Sequence, residues 1–226
     1  RNMVNYFPAF YSDDDFEDDA ADVFADELKK QLKPLKQALE NKYMRTMEYP
    51  HSEAELRESL SQEKINFDKV RDPWGMPYHL HFYVDKQNET MAFWSSGADK
   101  RYDTEDDFFV EDVSWPYFRR TGLTIDRAVM RHHQLTGKFI RDVAALRDEV
   151  AKDGLNLDQM HDRWGKPYRL EFEVDDSHIV LQIRSSGPDK QFSKDQYLYD
   201  DFIIWKSAID YFAEPREQIS AALTEN

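Results

Sequence analysis

An internal repeat limits what this chain can fold into more than any other feature. Residues 72–85 (DPWGMPYHLHFYVD) and 162–175 (DRWGKPYRLEFEVD) are identical at nine of fourteen positions, at an offset of ninety. Chance does not produce this, whereas a structural unit used twice does. The offset holds through Ser96-Gly97-Ala98-Asp99-Lys100 and Ser186-Gly187-Pro188-Asp189-Lys190. It then becomes ninety-four, matching Asp106-Asp107-Phe108 with Asp200-Asp201-Phe202 and Tyr117-Phe118 with Tyr211-Phe212. Four residues are therefore inserted into one loop, where extra length costs little closure entropy, roughly 0.6 kcal/mol per doubling.

With 226 residues the chain has room for two small domains. The repeat sets them at 13–118 and 119–213. Residues 1–12 read as the tail of a preceding segment, because Asn5-Tyr6-Phe7 resembles the Tyr-Phe pair that closes each copy. Residues 214–226 read as a C-terminal helix or linker, since Pro215 stands ahead of good helix formers.

Within each copy the hydrophobic period changes from helical to alternating. Phe24, Leu28, Leu32, Leu35 and Leu39 share one face of a helix expected from about Asp22 to Tyr43, which Pro34 should kink or divide. Ser52 to Leu60 reads as a short helix with Ser52 as N-cap and Glu55 completing a capping box. In copy two, Ile125, Val129 and His132/His133, then Phe139, Val143 and Leu146, give helical patterns ahead of a stop at Asp153-Gly154.

Tyr78, Leu80, Phe82 and Val84, like Tyr168, Leu170, Phe172 and Val174, alternate as strands do. Polar turns at Asp85 to Glu89 and Asp175 to His178 lead to second strands at Thr90 to Trp94 and Ile179 to Arg184. Third strands are expected at Phe108 to Val110 and Phe202 to Trp205. The fold expectation is α+β, in two tandem copies of an N-terminal helix plus a small three-stranded antiparallel sheet with a metal-binding loop. Trp74 and Trp164, at strand entry, read as core plugs.

The segment between the second and third strands carries the chemistry. Ser95-Ser96-Gly97-Ala98-Asp99 leads to Asp106-Asp107, and Ser185-Ser186-Gly187-Pro188-Asp189 leads to Asp200-Asp201. Three aspartates and a turn-forming glycine per loop suit calcium, which takes six to eight oxygens from carboxylates, carbonyls and water. The EF-hand pattern is absent, and Ser-Gly-x-Asp alone is ordinary turn chemistry. Its pairing with a downstream Asp-Asp, twice, favours a metal, because clustered carboxylates without a cation repel one another.

Composition excludes several other classes. The 45 acidic against 30 basic side chains give a net charge of −15, which repels a phosphate backbone and makes nucleic acid an unsuitable partner. Cysteine is absent, removing disulfides, thiolate zinc sites and cysteine nucleophiles. No stretch approaches the ~20 apolar residues of a membrane span, so the fragment is not expected to insert into a membrane. With seven glycines and no nucleophile elbow, phosphate loop or His-Glu-x-x-His, no enzyme is expected. His132 and His133 are adjacent on a helix and diverge, which suits a surface or capping role. The acidic run at Asp13-Asp14-Asp15 reads as a solvated helix N-terminus.

Taken together, Asp-x-Trp-Gly-x-Pro-Tyr, a hairpin, Ser-x-Gly-x-Asp and then Asp-Asp resemble the C-terminal globular domain of the major pseudopilin of bacterial type II secretion, over about Ser52 to Val110 and Asp162 to Ile204. The resemblance implies one calcium ion per repeat. In copy one it implies Asp99, Asp106 and Asp107 as side-chain ligands, with the carbonyls of Ser96 and Thr104. In copy two the equivalents are Asp189, Asp200 and Asp201, with the carbonyls of Ser186 and Leu198, and Asp195 inside the insertion as a further candidate.

The pseudopilin's apolar N-terminal helix has no counterpart in this sequence, and two fused copies do not suit a filament subunit. Fold and ion carry over, and the pilus role does not. The expected function is a calcium-stabilised, non-catalytic structural or partner-binding module of a larger bacterial envelope or secreted protein. Its location would be periplasmic or extracellular, and its partners another protein or other domains of the same polypeptide. The alternatives are a recognition module of a macroglobulin-like protease trap and a metal-dependent hydrolase.

Overall fold

A computed structural model describes residues 14–175, 178–193 and 200–207, with side chains over 25–173, 180–193 and 200–207. The expectations for 1–12, Asp13, Asp195, Leu198, Tyr211-Phe212 and 214–226, and for the Phe24 side chain, lie outside these. The chain is α+β, with two small three-stranded antiparallel sheets. It divides into two compact units, 1–83 with 90–115, and 84–89 with 116–226.

The first unit opens with α1 (Asp14–Thr46). Leu28, Leu32, Leu35, Leu39 and Tyr43 are buried at helical spacing, while Lys29 and Lys30 pair with Asp26 and Glu27 on the outer face. The helix is longer than expected at both ends, and Pro34 does not divide it. Pro34 sits between Leu32 and Leu35, so burial on both sides of the missing amide keeps the two halves in one element.

Helix α2 (Glu53–Gln62) starts at Ser52, whose hydroxyl accepts from the Glu55 amide at 3.3 Å. The reciprocal half of the expected capping box is displaced by one residue, with Glu55 Oε2 accepting from the His51 amide at 2.9 Å. The helix closes through Ile65 N–H to Leu60 carbonyl, 2.9 Å, and Lys64 N–H to Ser61 carbonyl, 3.0 Å, a Schellman arrangement that puts Lys64 at φ 63°. At the matching end in the second unit the residue is Gly154, at φ 77°. A side chain in the left-handed region carries a strain that glycine does not. Lys64→Gly is expected to raise stability by about 0.5–1 kcal/mol after the added freedom of the unfolded chain is subtracted, read from the urea midpoint.

Strands β1 (His79–Asp85), β2 (Asn88–Ser95) and β3 (Phe108–Pro116) follow in the order β1-β2-β3. Central β2 contributes Met91 and Phe93 to a core shared with the α1 leucines, Leu56, Leu60, Phe67 and Tyr78. Phe82 departs from the expected inward alternation and is 37% exposed, three residues before the hairpin turn begins at Asp85. Strand β3 is six residues longer than expected. Glu111-Asp112 hides it in the sequence, yet Val113 and Trp115 beyond are buried, and Glu111 is taken up by Lys36 at 3.3 Å.

The second unit contains α3 (Arg119–Thr136), α4 (Val143–Ala151), β4 (Arg169–Asp175), β5 (His178–Ser185) and β6 (Phe202–Lys206), with sheet order β4-β5-β6. Strand β4 pairs antiparallel with β5 from Arg169 opposite Arg184 to Asp175 opposite His178. The β5–β6 register slips between Ile183 and Arg184, which face Trp205 and Ile203, and this leaves Ile204 as the extra residue of a bulge.

The core gathers Ile125, Val129, Ile140, Leu146, Val150, Leu157, Leu181 and Ile183. Gly137, at φ 70°, ends α3, and the His133 ring stacks on Phe139 at 3.8 Å. His132 turns instead to Glu149, 3.3 Å away. Glu149 is nearly enclosed and also accepts from Lys152 and Arg131, and these hold its carboxyl down at about 2 despite burial. No helix among the described residues is long and apolar enough to cross a membrane.

Candidate metal centre

Each acidic loop is pinned at both ends by the Asp-x-Trp-Gly segment that precedes its hairpin. Asp72 is 4% exposed and Asp162 is 5% exposed. Asp72 Oδ1 accepts from the amides of Trp74 (3.1 Å) and Met76 (2.8 Å), while Oδ2 accepts from the hydroxyls of Ser95 (2.9 Å) and Ser96 (3.3 Å). Asp162 repeats this with the amides of Trp164 and Lys166 and the hydroxyls of Ser185 and Ser186, adding the Ser186 amide at 3.2 Å. Burial alone would raise the Asp162 carboxyl, but these donors outweigh it and hold it below the ordinary carboxylate value.

The Ser95 and Ser185 hydroxyls in turn accept from the amides of Gly97 and Gly187 at 3.3 and 3.1 Å. A buried aspartate thus sets the path of the chain into the loop. At the exit, Trp74 meets Phe108 edge-on at 6.0 Å and Trp164 meets Phe202 at 5.9 Å, each phenylalanine directly following the second aspartate of the Asp-Asp pair. Both indoles are half-buried and stand outside the two cores, so the core-plug reading is corrected. Their place is set by the start of the third strand, which lies at the sheet's end.

Inside the loops, three amide-to-carboxylate bonds recur. Asp99 N–H donates to Asp106 Oδ2 (2.9 Å), Arg101 N–H to Asp99 Oδ1 (2.7 Å) and Asp103 N–H to Asp107 Oδ2 (2.7 Å). Their counterparts run from Asp189 to Asp200 Oδ2 (2.7 Å), from Gln191 to Asp189 Oδ1 (2.7 Å) and from Ser193 to Asp201 Oδ2 (2.8 Å). The donors and the acceptor pair Asp99/Asp189 keep the offset of ninety, while Asp106/Asp200 and Asp107/Asp201 keep ninety-four, so the four extra residues fall between Ser193 and Asp200. Gly97 and Gly187, at φ 63° and 67°, let the chain close. A Cβ there would lie less than 3.0 Å from the backbone oxygen of Asp106 or Asp200, a separation that real Cβ atoms essentially never show.

The amide bonds use Oδ2 of Asp107 and of Asp201 and leave Oδ1 of each. Asp107 Oδ1 and Asp201 Oδ1 are both buried without a hydrogen-bond partner among the described residues. A buried carboxylate oxygen without a donor is costly, and a cation relieves that cost. In the second loop one oxygen each of Asp189, Asp200 and Asp201 lies within 4.8 Å of the others, the largest separation of two ligands held by one ion at about 2.4 Å. All these donors are oxygen, as a hard divalent cation prefers.

Among the described residues the second loop alone meets that limit. In the first, the Thr104 hydroxyl donates to Asp106 Oδ1 at 2.8 Å and occupies the oxygen that Asp106 would turn inward. Burial would raise the Asp106 carboxyl, but the Asp99 amide and the Thr104 hydroxyl hold it below its usual value. The Thr104 carbonyl accepts from Asp107 N–H at 3.2 Å, and the Ser96 and Ser186 side chains serve Asp72 and Asp162.

Sequence reasoning missed the anchoring role of Asp72 and Asp162. The sign of it was there, since each opens the repeated block and a Ser-Ser pair precedes the loop glycine in both copies. Comparison with protein-family models, curated proteins and solved structures finds no match to this chain.

Proposed function

We propose that the chain is a tandem pair of pseudopilin-like domains, each stabilised by one calcium ion in its acidic loop, and that it serves as a structural or partner-binding module of a larger bacterial envelope or exported protein. The observation that carries this reading is the buried Oδ1 of Asp201, which has no hydrogen-bond partner among the described residues and lies beside Asp189 and Asp200. The same orphaned oxygen on Asp107 supports a site in the first loop. Bound calcium would take these oxygens and draw the two ends of each loop together. The aspartates' remaining oxygens serve the loops' own amides, which suits a closed structural site better than a catalytic one.

Millimolar calcium outside the cytosol would suit shallow loop sites of this kind and favours a periplasmic or extracellular setting. Phe82, Tyr83 and Phe109 are exposed on the first unit and favour partner binding over a pure spacer. Calorimetric titration of the chelator-treated protein with CaCl2 is expected to give two equivalents for the wild type and one each for Asp107→Asn and Asp201→Asn. An unchanged stoichiometry in both variants would remove the loops as the binding sites.

A further inference from the structure

The outer face of β1 carries a second constellation, whose two histidines are distinct from the aspartates of the acidic loops and which the first loop borders only through Tyr102. Residues 79 and 81 project to the same side of the strand, and the His79 and His81 rings lie 4.5 Å apart between centroids at 58°. Tyr102 flanks His79 at 4.9 Å and Trp94 flanks His81 at 5.7 Å, so the two imidazoles stand in a row bracketed by larger rings that limit their rotamers. Neither histidine has a hydrogen bond or ion pair among the described residues, and only ring contacts are found for them. His132 and His161, by contrast, spend a nitrogen on Glu149 and on the Gln159 carbonyl. In the second unit the matching positions hold Arg169 and Glu171 in an ion pair of 2.5 Å, so side chains at these two sites meet, yet the scaffold does not demand imidazoles there.

We propose that His79 and His81 form a two-imidazole chelate for a borderline divalent transition metal, with copper(II) bound most tightly. Two imidazoles held cis on one ion at about 2.0 Å per bond place their ring centroids roughly 4.5–5 Å apart, which the observed spacing matches. Imidazole favours copper, nickel and zinc over calcium, and copper stands highest in the affinity order of the divalent first-row metals. Calcium prefers an all-oxygen shell, so the two kinds of site are chemically distinct and this inference stands whether or not the loops bind calcium. The remaining coordination positions face solvent and would carry water or a donor from a partner.

The test is titration of the full 226-residue chain with CuCl2 in millimolar CaCl2, read by electron paramagnetic resonance and by tryptophan emission. The expected result is one tight equivalent, with hyperfine structure from two nitrogens and quenching of Trp94. His79→Ala and His81→Ala should each weaken binding about tenfold or more, a loss of roughly 1.4 kcal/mol, and reduce the signal to one nitrogen. Trp94→Phe should keep the copper and lose most of the quenching, and His161→Ala should change neither. A His79→Ala/His81→Ala double variant with wild-type circular dichroism that still binds copper like the wild type would overturn the proposal. A wild-type chain that binds none would do the same.

Discussion

Replacing Asp162 with alanine is expected to destabilise the second unit by about 3–5 kcal/mol, as breaking a buried hydrogen-bond network does. The carboxylate collects five donors, and its removal leaves the Trp164, Lys166 and Ser186 amides and two serine hydroxyls without their acceptor in a site closed to water. Asp162→Asn keeps the shape and one carbonyl oxygen, and should lose only about 1–2 kcal/mol. Urea unfolding of the three proteins measures the difference, and equal losses for the two variants would mean that the carboxylate's acceptors are not what matters.

The pH dependence has a fixed sign. The folded carboxyl of Asp162 lies below its unfolded value near 3.9, so its contribution is fully present above that pH and is lost as pH falls through the folded pKa. Glu149, held at about 2, acts in the same direction. The wild type should therefore lose stability progressively from about pH 4 down towards pH 2, and Asp162→Asn should lose less over that span.

Gly187→Ala is expected to cost about 2–4 kcal/mol, made up of left-handed strain and overpacking, and to weaken calcium binding as well. At φ 67° the new Cβ would strike the Asp200 backbone and its carboxyl carbon, and so push a candidate ligand out of place. Gly97→Ala meets Asp106 in the same way. Gly165→Ala separates the two causes, since its φ is 87° but its Cβ would meet nothing within 4 Å, leaving only the conformational cost of about 1–2 kcal/mol. Denaturant midpoints and calcium titrations on the three variants decide. A Gly187→Ala protein no worse than Gly165→Ala would show that the close approach to Asp200 does not hold the loop.

The strands and loops were legible because their signals are local. Alternation along 168–174 and the turn chemistry around Gly97 and Gly187 depend on neighbours in the chain, and the repeat doubled each signal. Glu111 and Asp112 break the apolar pattern of the third strand in the sequence, whereas in the fold Val113 and Trp115 beyond them are buried and Glu111 meets Lys36, seventy-five residues away. The burial of Asp72 and Asp162 was equally hidden. An Asp two residues before Trp-Gly reads as a turn former, and its serine partners lie twenty-three and twenty-four residues further on. The tryptophans misled for a related reason: size and recurrence suggested the core, whereas each ring rests against the first residue after the acidic loop. The first loop's Thr104 bond to Asp106 has no mark in the repeat, because the insertion falls at that point.

The most direct measurement is thermal unfolding of the metal-free chain in excess chelator and again in increasing CaCl2. Ligand linkage predicts a rise of about 2.7 kcal/mol in stability at a hundredfold excess over Kd, which for domains of this size is an increase in Tm on the order of 10 °C, continuing with the logarithm of calcium concentration and smaller in Asp201→Asn. A melting temperature that stays the same with chelator and with millimolar calcium would contradict the reading of both loops as cages for a hard divalent ion.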